Sequence, residues 1–89
     1  MIFTIGRSCY SIAITGNIIF GNSNDGILIY HADTGIVITG NSITSNGSWG
    51  IEIYYGGNAV IIVANNLVGN TSGSISGGDG DTIVNHNLT

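Results

Sequence analysis

The sequence GNSITSNGSWGIEIYYGG, residues 40–57, is one copy of a motif that recurs along the chain. A similar stretch, GNIIFGNSNDGILIYHAD, lies 24 residues earlier at 16–33, and a third, ANNLVGNTSGSISGGDG, lies 24 residues later at 64–80. A fixed period between roughly 20 and 50 residues is typical of solenoids and repeat arrays, in which each unit stacks on the next. The sequence therefore predicts a stack of similar coils.

Aligning the copies at this period places like residues in columns. Two columns are asparagine and three are aliphatic: Asn17, Asn41 and Asn65; Asn22, Asn46 and Asn70; Ile19, Ile43 and Leu67; Ile27, Ile51 and Ile75; Ile29 and Ile53. Phe3 and Ile5 continue the last two columns one period upstream. Downstream, IVNHNL at 83–88 aligns with ITGNSI at 38–43 with three residues missing, which predicts His86 in the column of Asn41.

Short segments such as SIAIT, GIVIT, GILIY and GIEIY alternate with a period of two and favour β-branched residues, as strands do. In the first copy we expect strands near 12–15, 18–20 and 26–30, separated by bends at Gly-Asn and by polar loops. Three strands per coil predict an all-β fold, a right-handed parallel β-helix of fewer than four coils. The expected repeats lie near 11–34, 35–58 and 59–80, with partial coils at 1–10 and 81–89.

The columns have physical causes in such a fold. Isoleucines in register stack as a continuous core, and asparagines in register can form an asparagine ladder in which each amide bonds to the next coil. Since the sequence begins inside one strand type and ends inside another, we expect 1–89 to be a single segment of a longer solenoid.

The composition excludes several classes of function. Arg7 is the only basic residue against five acidic ones, which is far too few positive charges for a nucleic-acid-binding surface. No apolar run approaches the ~20 residues of a membrane span, and the start lacks the features of a signal peptide. Cys9 is the only cysteine, so no disulfide framework is possible.

The bends of the form GN-x-I and the strands of the form G-I-x-I resemble the right-handed β-helix superfamily, which includes pectate-lyase-like, alginate-epimerase-like and NosD-like proteins. The resemblance covers nearly the whole chain. It implies the fold, whereas the superfamily hosts lyases, hydrolases, epimerases and inert fibres alike. It also implies an extracellular, cell-surface or periplasmic location and a long outer face on which polysaccharide lies.

One outer face carries aromatic side chains. Alternation along 26–30 and 50–54 turns Tyr30, Glu52 and Tyr54 outward, with Tyr30 stacked over Tyr54, and His31 and Tyr55 are expected to begin the following loop. Aromatic rings beside a carboxylate suit sugars, so Tyr30, Tyr54, Tyr55 and Glu52 are the candidate polysaccharide-binding residues. The alternative is that the tyrosine pair only stabilises the sheet.

A catalytic function has weaker support. Lyase or epimerase chemistry on a uronic acid needs a base and a group that neutralises the substrate carboxylate. The candidates are Glu52, Asp25, His31 and Arg7, of which Arg7 lies one coil below His31. Pectate lyases group acidic residues around calcium and use an arginine base, and no such cluster can be matched in this sequence.

A metal site is also weakly indicated. The segment GGDGDTIV at 77–84 is similar to the calcium-binding repeat G-G-x-G-x-D-x-U-x but lacks one residue of it, so Asp79 and Asp81 provide about half a site. A tight loop explains the segment equally well, and no cofactor is expected.

A further outer column is apolar: Ala13, Val37 and Ile61. An apolar stripe indicates that the remainder of a longer solenoid or sister subunits cover it. The sequence therefore predicts a β-helix module that binds polysaccharide. The alternatives are a fragment of a polysaccharide lyase, epimerase or glycoside hydrolase, and the structural shaft of a spike, fibre or adhesin.

Overall fold

The computed structural model describes residues 3–5, 9–56, 59–78 and 82–89, and the side chains of 11–30, 35–54, 59–78 and 82–89. These residues contain strands and no helix. The strands are β1 (Phe3–Ile5), β2 (Cys9–Thr15), β3 (Ile18–Phe20), β4 (Ile27–Thr39), β5 (Ser42–Thr44), β6 (Trp49–Gly56), β7 (Val60–Val63), β8 (Gly73–Ser76) and β9 (Ile83–Asn85).

Each strand pairs in parallel with the strand one repeat away. Ile27 of β4 pairs with Phe3 of β1 on one side and with Ile51 of β6 on the other, and Ile51 pairs in turn with Ile75 of β8. Parallel pairing at a constant sequence offset is what successive coils of one solenoid produce. The chain is a parallel β-helix, which confirms the fold predicted from the repeat.

The core consists of the predicted aliphatic columns. Twelve side chains of the described residues form one buried cluster: Ile14, Ile19, Ile27, Ile29, Ile36, Ile38, Ile43, Ile51, Ile53, Val60, Ile62 and Leu67. The strand period of two explains the set, because Ile27 and Ile29 are fully buried whereas Leu28 between them is half-buried and Tyr30 is exposed. Each isoleucine is covered mainly by its counterparts in the adjacent coils, so burial in this core depends on stacking.

The buried asparagines connect the coils through hydrogen bonds. Asn41 accepts at its Oδ1 from the Asn17 backbone N–H at 2.9 Å and from Asn17 Nδ2 at 3.1 Å. Its own Nδ2 donates to Asn65 Oδ1 at 3.0 Å and to the Ile14 carbonyl at 2.9 Å. One buried amide thus satisfies groups in the coil below and the coil above, where water has no access.

A second set of asparagines repeats this arrangement at the next bend. Asn22 Nδ2 donates to Asn46 Oδ1, and Asn46 Nδ2 donates to Asn70 Oδ1, both at 2.9 Å. Asn46 is 1% exposed, and its amide also reaches the Ile19 carbonyl at 3.4 Å. Both asparagine columns therefore have a structural cause that is independent of any ligand.

The structure differs from the prediction in the middle of β4. Strand β4 runs without interruption from 27 to 39, so the loop expected to begin at His31 is wrong, and Tyr55 likewise lies inside β6. His31 pairs with Tyr55 and Ala32 pairs with Gly56. The backbone ladder continues through this corner because adjacent coils follow the same path and keep pairing as they bend.

The register of the last coil also differs from the prediction. Ile83 pairs with Ile61 rather than with a core position, and Asn65 Nδ2 donates to Asn87 Oδ1 at 3.0 Å. The shortened repeat therefore lacks two residues rather than three, since the offset from Asn65 to Asn87 is 22. The prediction that His86 stands in the asparagine column was wrong by one residue, and a slip of one residue turns every side chain of a strand to the other face.

His86 instead occupies the bend that precedes the asparagine column. The equivalent residues all have a left-handed backbone, with φ of 70° at Gly16, 68° at Gly40, 59° at Ala64 and 52° at His86. Left-handed φ costs a non-glycine residue roughly 1–2 kcal/mol, so the repeat imposes this conformation on Ala64 and His86.

In the described part of the chain, no helix is long and apolar enough to cross a membrane.

Candidate functional site

The aromatic face predicted from the sequence is present on the sheet formed by β1, β4, β6 and β8. We define the Tyr face as the outward side chains of Leu28, Tyr30, Glu52 and Tyr54. Leu28 pairs with Glu52, and the strands turn both side chains away from the buried Ile27 and Ile51. Tyr30 is 45% exposed and Tyr54 is 56% exposed, so the two rings form the most accessible part of this face.

The two tyrosine rings are stacked. Their centroids are 5.4 Å apart and their planes differ by 7°. Parallel pairing brings each residue over its counterpart in the next coil, and a centroid separation above the contact distance indicates the offset stacking that aromatic pairs prefer. A sugar ring inserted between them would need roughly 7–8 Å, two van der Waals contacts. The faces turned toward each other therefore exclude a sugar, and contact with a ligand falls to the exposed edges, outer faces and hydroxyl groups.

Glu52 supplies the charge on the Tyr face. Its neighbours on the adjacent strands are Leu28 on one side and Ser76 on the other, so the aliphatic part of its side chain lies beside a partly apolar surface. Burial raises the pKa of Glu52 above its ordinary value, and the negative charge of Asp25 raises it further. Both causes disfavour the ionised form, so a positively charged or hydrogen-bond-donating ligand would relieve an unfavourable environment.

Asp25 is a structural residue in this arrangement. It is 8% exposed, and its Oδ1 accepts from the backbone N–H of Trp49 at 3.0 Å, which is the first residue of β6. A carboxylate accepting a backbone N–H at a bend is held there by a strong, charge-assisted hydrogen bond. Asp25 therefore fixes the start of the strand that carries Glu52 and Tyr54, and it acts on Glu52 through its charge.

Several candidate residues lie outside what the structure describes. Arg7, Asp79 and Asp81 are not among the described residues, and the side chains of His31 and Tyr55 are not described. The backbone places His31 in β4 directly beside Tyr55 in β6, one residue beyond the tyrosine pair. The roles suggested for these five residues remain predictions.

Metal-binding side chains do not converge in the described part of the chain. No group of three or more His, Cys, Asp or Glu side chains could hold a metal ion there. The backbone register pairs Cys9 with Ala32, whereas His31 pairs with Tyr55, and His86 lies on an exposed bend after β9. No pocket forms among the described residues either.

The predicted apolar stripe is present on β2, β4, β7 and β9, and it is longer than expected. Ala13, Val37 and Ile61 stand in one register row, and the corrected register adds Ile83, which is 55% exposed. Sequence reasoning missed Ile83 because it assigned this residue to a core column. The exposed side chains of Ile18 and Phe20 on β3 were also missed, because they pair with the polar residues Ser42 and Thr44 of the next coil and so form no apolar column in the alignment.

Comparison with known proteins identifies a family. The family model described as periplasmic copper-binding protein (NosD) matches residues 4–88. No curated protein and no solved structure matches the chain. The match spans every described strand except the first residue of β1, so it concerns the whole stack of coils and does not single out the Tyr face.

Proposed function

The chain belongs to the NosD family, and from this premise we propose that it is a periplasmic or cell-surface β-helix module that binds polysaccharide along the Tyr face. The observation that carries the proposal is the exposed stack of Tyr30 and Tyr54 with Glu52 beside it. Exposed aromatic rings supply apolar contact to the C–H faces of sugars, and their hydroxyl groups together with a carboxylate bond the sugar hydroxyls.

An open face favours a polymer over a small ligand. Small-molecule sites are concave and enclose most of the ligand surface, whereas the described residues form no pocket. A polysaccharide can gain affinity from many weak contacts along an extended surface, as repeat proteins commonly arrange. Tyr30 and Tyr54 on adjacent coils supply the first two such contacts, and Tyr55 is proposed as a third.

The family description names copper, and no group of described side chains fits a copper site. Copper prefers Cys, Met and His donors, and the sequence contains one Cys, one Met and two His. Cys9 pairs with Ala32, next to His31, but the side chains of Cys9 and His31 are not described, and His86 lies at the opposite end of the stack after β9. We therefore derive no copper chemistry for this chain, and the calcium site suggested by Asp79 and Asp81 has no support among the described residues.

A catalytic role would require residues beyond the Tyr face. A glycosidase needs two carboxyl groups placed across the scissile bond, about 5–9.5 Å apart. Of the two carboxyl groups nearest the face, Asp25 is buried and engaged with the Trp49 N–H, so Glu52 is the one available to a sugar. The proposal is accordingly binding without complete catalytic machinery.

The test is affinity electrophoresis of the chain through gels that contain neutral or charged polysaccharides. We expect retardation in at least one gel, and we expect the Tyr30→Ala/Tyr54→Ala double variant to lose it. Phe20→Ala is the matched control, because Phe20 is an exposed aromatic residue on a different sheet and is 64% exposed. Equal mobility of the folded chain in every gel would refute the proposal, as would equal loss of retardation in the control.

A structural shaft is the second candidate function, and the row Ala13, Val37, Ile61 and Ile83 favours it. An apolar row four residues long on a parallel sheet is suited to packing against sister subunits. Sedimentation of the chain beside a Val37→Glu variant tests this role: we expect a concentration-dependent oligomer that the charged variant dissociates, and a monomer at all concentrations would exclude it.

A further inference from the structure

The charge of the Tyr face has one sign. Glu52 is the only ionised side chain among its four members, and Asp25 lies close enough to raise the pKa of Glu52 through its charge. No lysine or arginine side chain occurs in the described part of the chain, and the whole sequence carries a net charge of −4 with Arg7 as its single basic residue. The described charges nearest the tyrosine rings, those of Glu52 and Asp25, are therefore negative.

The aromatic rings add to this preference. The face of an aromatic ring is the negative end of its quadrupole, so an exposed tyrosine attracts a cation as well as an apolar C–H surface. Tyr54 is 56% exposed and lies two residues from Glu52 on the same side of β6, so a cation can contact a ring and the carboxylate together.

We propose that the Tyr face selects polysaccharides built from basic amino sugars, and that Glu52 is the residue that determines this specificity. The inference rests on the proposed function, because it assigns the substrate class of the same surface. The protonated 2-amino group of such a sugar binds the Glu52 carboxylate while the C–H face of the ring lies against tyrosine.

The same arrangement discriminates against two other classes of sugar. A uronic acid brings its own carboxylate beside Glu52 and Asp25, and like charges at close range disfavour binding. An N-acetylated sugar offers the same ring and hydroxyl groups without the positive charge, so it keeps the stacking contact and loses the ion pair. The expected order of affinity is therefore amino sugar, then N-acetylated sugar, then uronic acid.

The experiment compares three oligosaccharides of equal length with the complete chain by titration calorimetry. They are a β-1,4-linked glucosamine oligomer, its fully N-acetylated form and an oligogalacturonate, at one pH that lies above the raised pKa of Glu52 and keeps the amine protonated. We expect the glucosamine oligomer to bind roughly two- to fivefold more tightly than the N-acetylated form, the ratio that one exposed cation–π contact or ion pair supports. Oligogalacturonate should bind most weakly.

Two variants separate a local effect of Glu52 from the overall charge. Glu52→Gln should bring the two glucosamine-based ligands to similar affinity. The double variant Glu52→Gln/Asn66→Asp restores the net charge at an exposed site on another sheet, where the Asn66 Oδ1 accepts from the Val68 N–H and an aspartate can do the same. We expect the double variant to resemble Glu52→Gln, and recovery of the preference in it would overturn the assignment to Glu52.

The remaining outcomes distinguish this inference from the proposed function. Equal binding of the amino and N-acetylated oligomers to the unaltered chain would overturn the specificity and leave sugar binding intact. Tighter binding of oligogalacturonate would overturn it in the same way. Absence of binding to all three, in a chain whose circular dichroism shows a folded β structure, would count against the proposed function itself.

Discussion

The asparagine columns and the Tyr face are built by the same parallel register, yet the two regions differ in how much each residue matters. Inside, Asn41 is 3% exposed and is hydrogen-bonded to both the coil below and the coil above. Outside, Tyr30 and Tyr54 touch one another at a solvent-exposed surface. The stacking of repeats therefore constrains the residues of the interior, whereas the outer positions remain available for function.

The largest loss of stability is expected from the removal of one interior amide. Asn41→Ala removes the side-chain acceptor of the partly buried Asn17 backbone N–H and the side-chain donor to the buried Ile14 carbonyl. Each such loss costs ~1–3 kcal/mol, so we expect about 3–5 kcal/mol less stability in urea unfolding. Asn66→Ala is the control, because Asn66 is exposed and accepts a single hydrogen bond from Val68 N–H. Similar losses for the two variants would show that the buried column has no special importance.

The next test concerns the space between coils. A Cβ at Gly26 would collide with Ile43 Cγ2 and would lie 2.8 Å from the Gly50 carbonyl oxygen and 2.9 Å from Asn46 Nδ2. Overpacking of a core typically costs ~1–3 kcal/mol, and we expect Gly26→Ala to fall at the upper end because backbone atoms cannot move aside easily.

Gly21 provides the matched comparison for Gly26. Its φ is 72°, and an added Cβ would meet nothing within 4 Å, so Gly21→Ala should cost only the ~1–2 kcal/mol of left-handed backbone strain. Thermal unfolding of both variants gives the difference. If Gly21→Ala proved the more harmful, the close approach of coils at Gly26 would be refuted as the dominant cause.

The interior is also where the sequence was most informative. A residue that serves the stacking of coils must recur in every coil, so the columns of Ile27 and Asn41 were visible without a structure. The prediction failed where the period breaks. Asn85 and Asn87 each lie one residue from His86, the predicted position, and only the hydrogen bonds from Asn65 to Asn87 identify Asn87 as the member of the column.

The Tyr face was predictable in position and not in detail. Alternation along β4 and β6 was sufficient to turn Tyr30, Glu52 and Tyr54 outward, and their stacking follows from the period. The continuous path of β4 through His31 was not predictable, because the following Asp33, Thr34 and Gly35 are typical of a turn. Pairing between coils overrides this local preference. The raised pKa of Glu52 could not be inferred either, since it depends first on how far the fold buries the carboxyl group and then on how close it brings Asp25.

A smaller effect is expected on the outer face. Tyr30 and Tyr54 should be energetically coupled by ~0.5–1.5 kcal/mol beyond their separate contributions, the range for aromatic pairs in double-mutant cycles. Chemical unfolding of Tyr30→Ala, Tyr54→Ala and the double variant measures this coupling. The pair Phe20→Ala and Tyr54→Ala is the control, because these residues lie on different sheets and their effects should add. Additive effects of Tyr30 and Tyr54 would mean that the stack contributes nothing to stability.

The smallest effect is the pH dependence contributed by Glu52. Burial, and then the charge of Asp25, raise the pKa of Glu52 above its ordinary value of 4.5, so the folded chain binds this proton more tightly than the unfolded chain. The contribution of Glu52 to stability is therefore greatest at acidic pH and is lost as the pH rises through the raised pKa.

Glu52→Gln removes this titration, because glutamine is uncharged at every pH. Above the raised pKa, we expect Glu52→Gln to be slightly more stable than the unaltered chain, by far less than the change caused by Asn41→Ala. As the pH falls through the interval between the raised pKa and 4.5, the unaltered chain should gain stability relative to the variant, and below 4.5 the difference should stay constant. Urea unfolding at a series of pH values measures this difference directly. A gain in the opposite direction would show that Glu52 is stabilised as a carboxylate, and the Tyr face would then hold a positive partner for it already in the absence of a ligand.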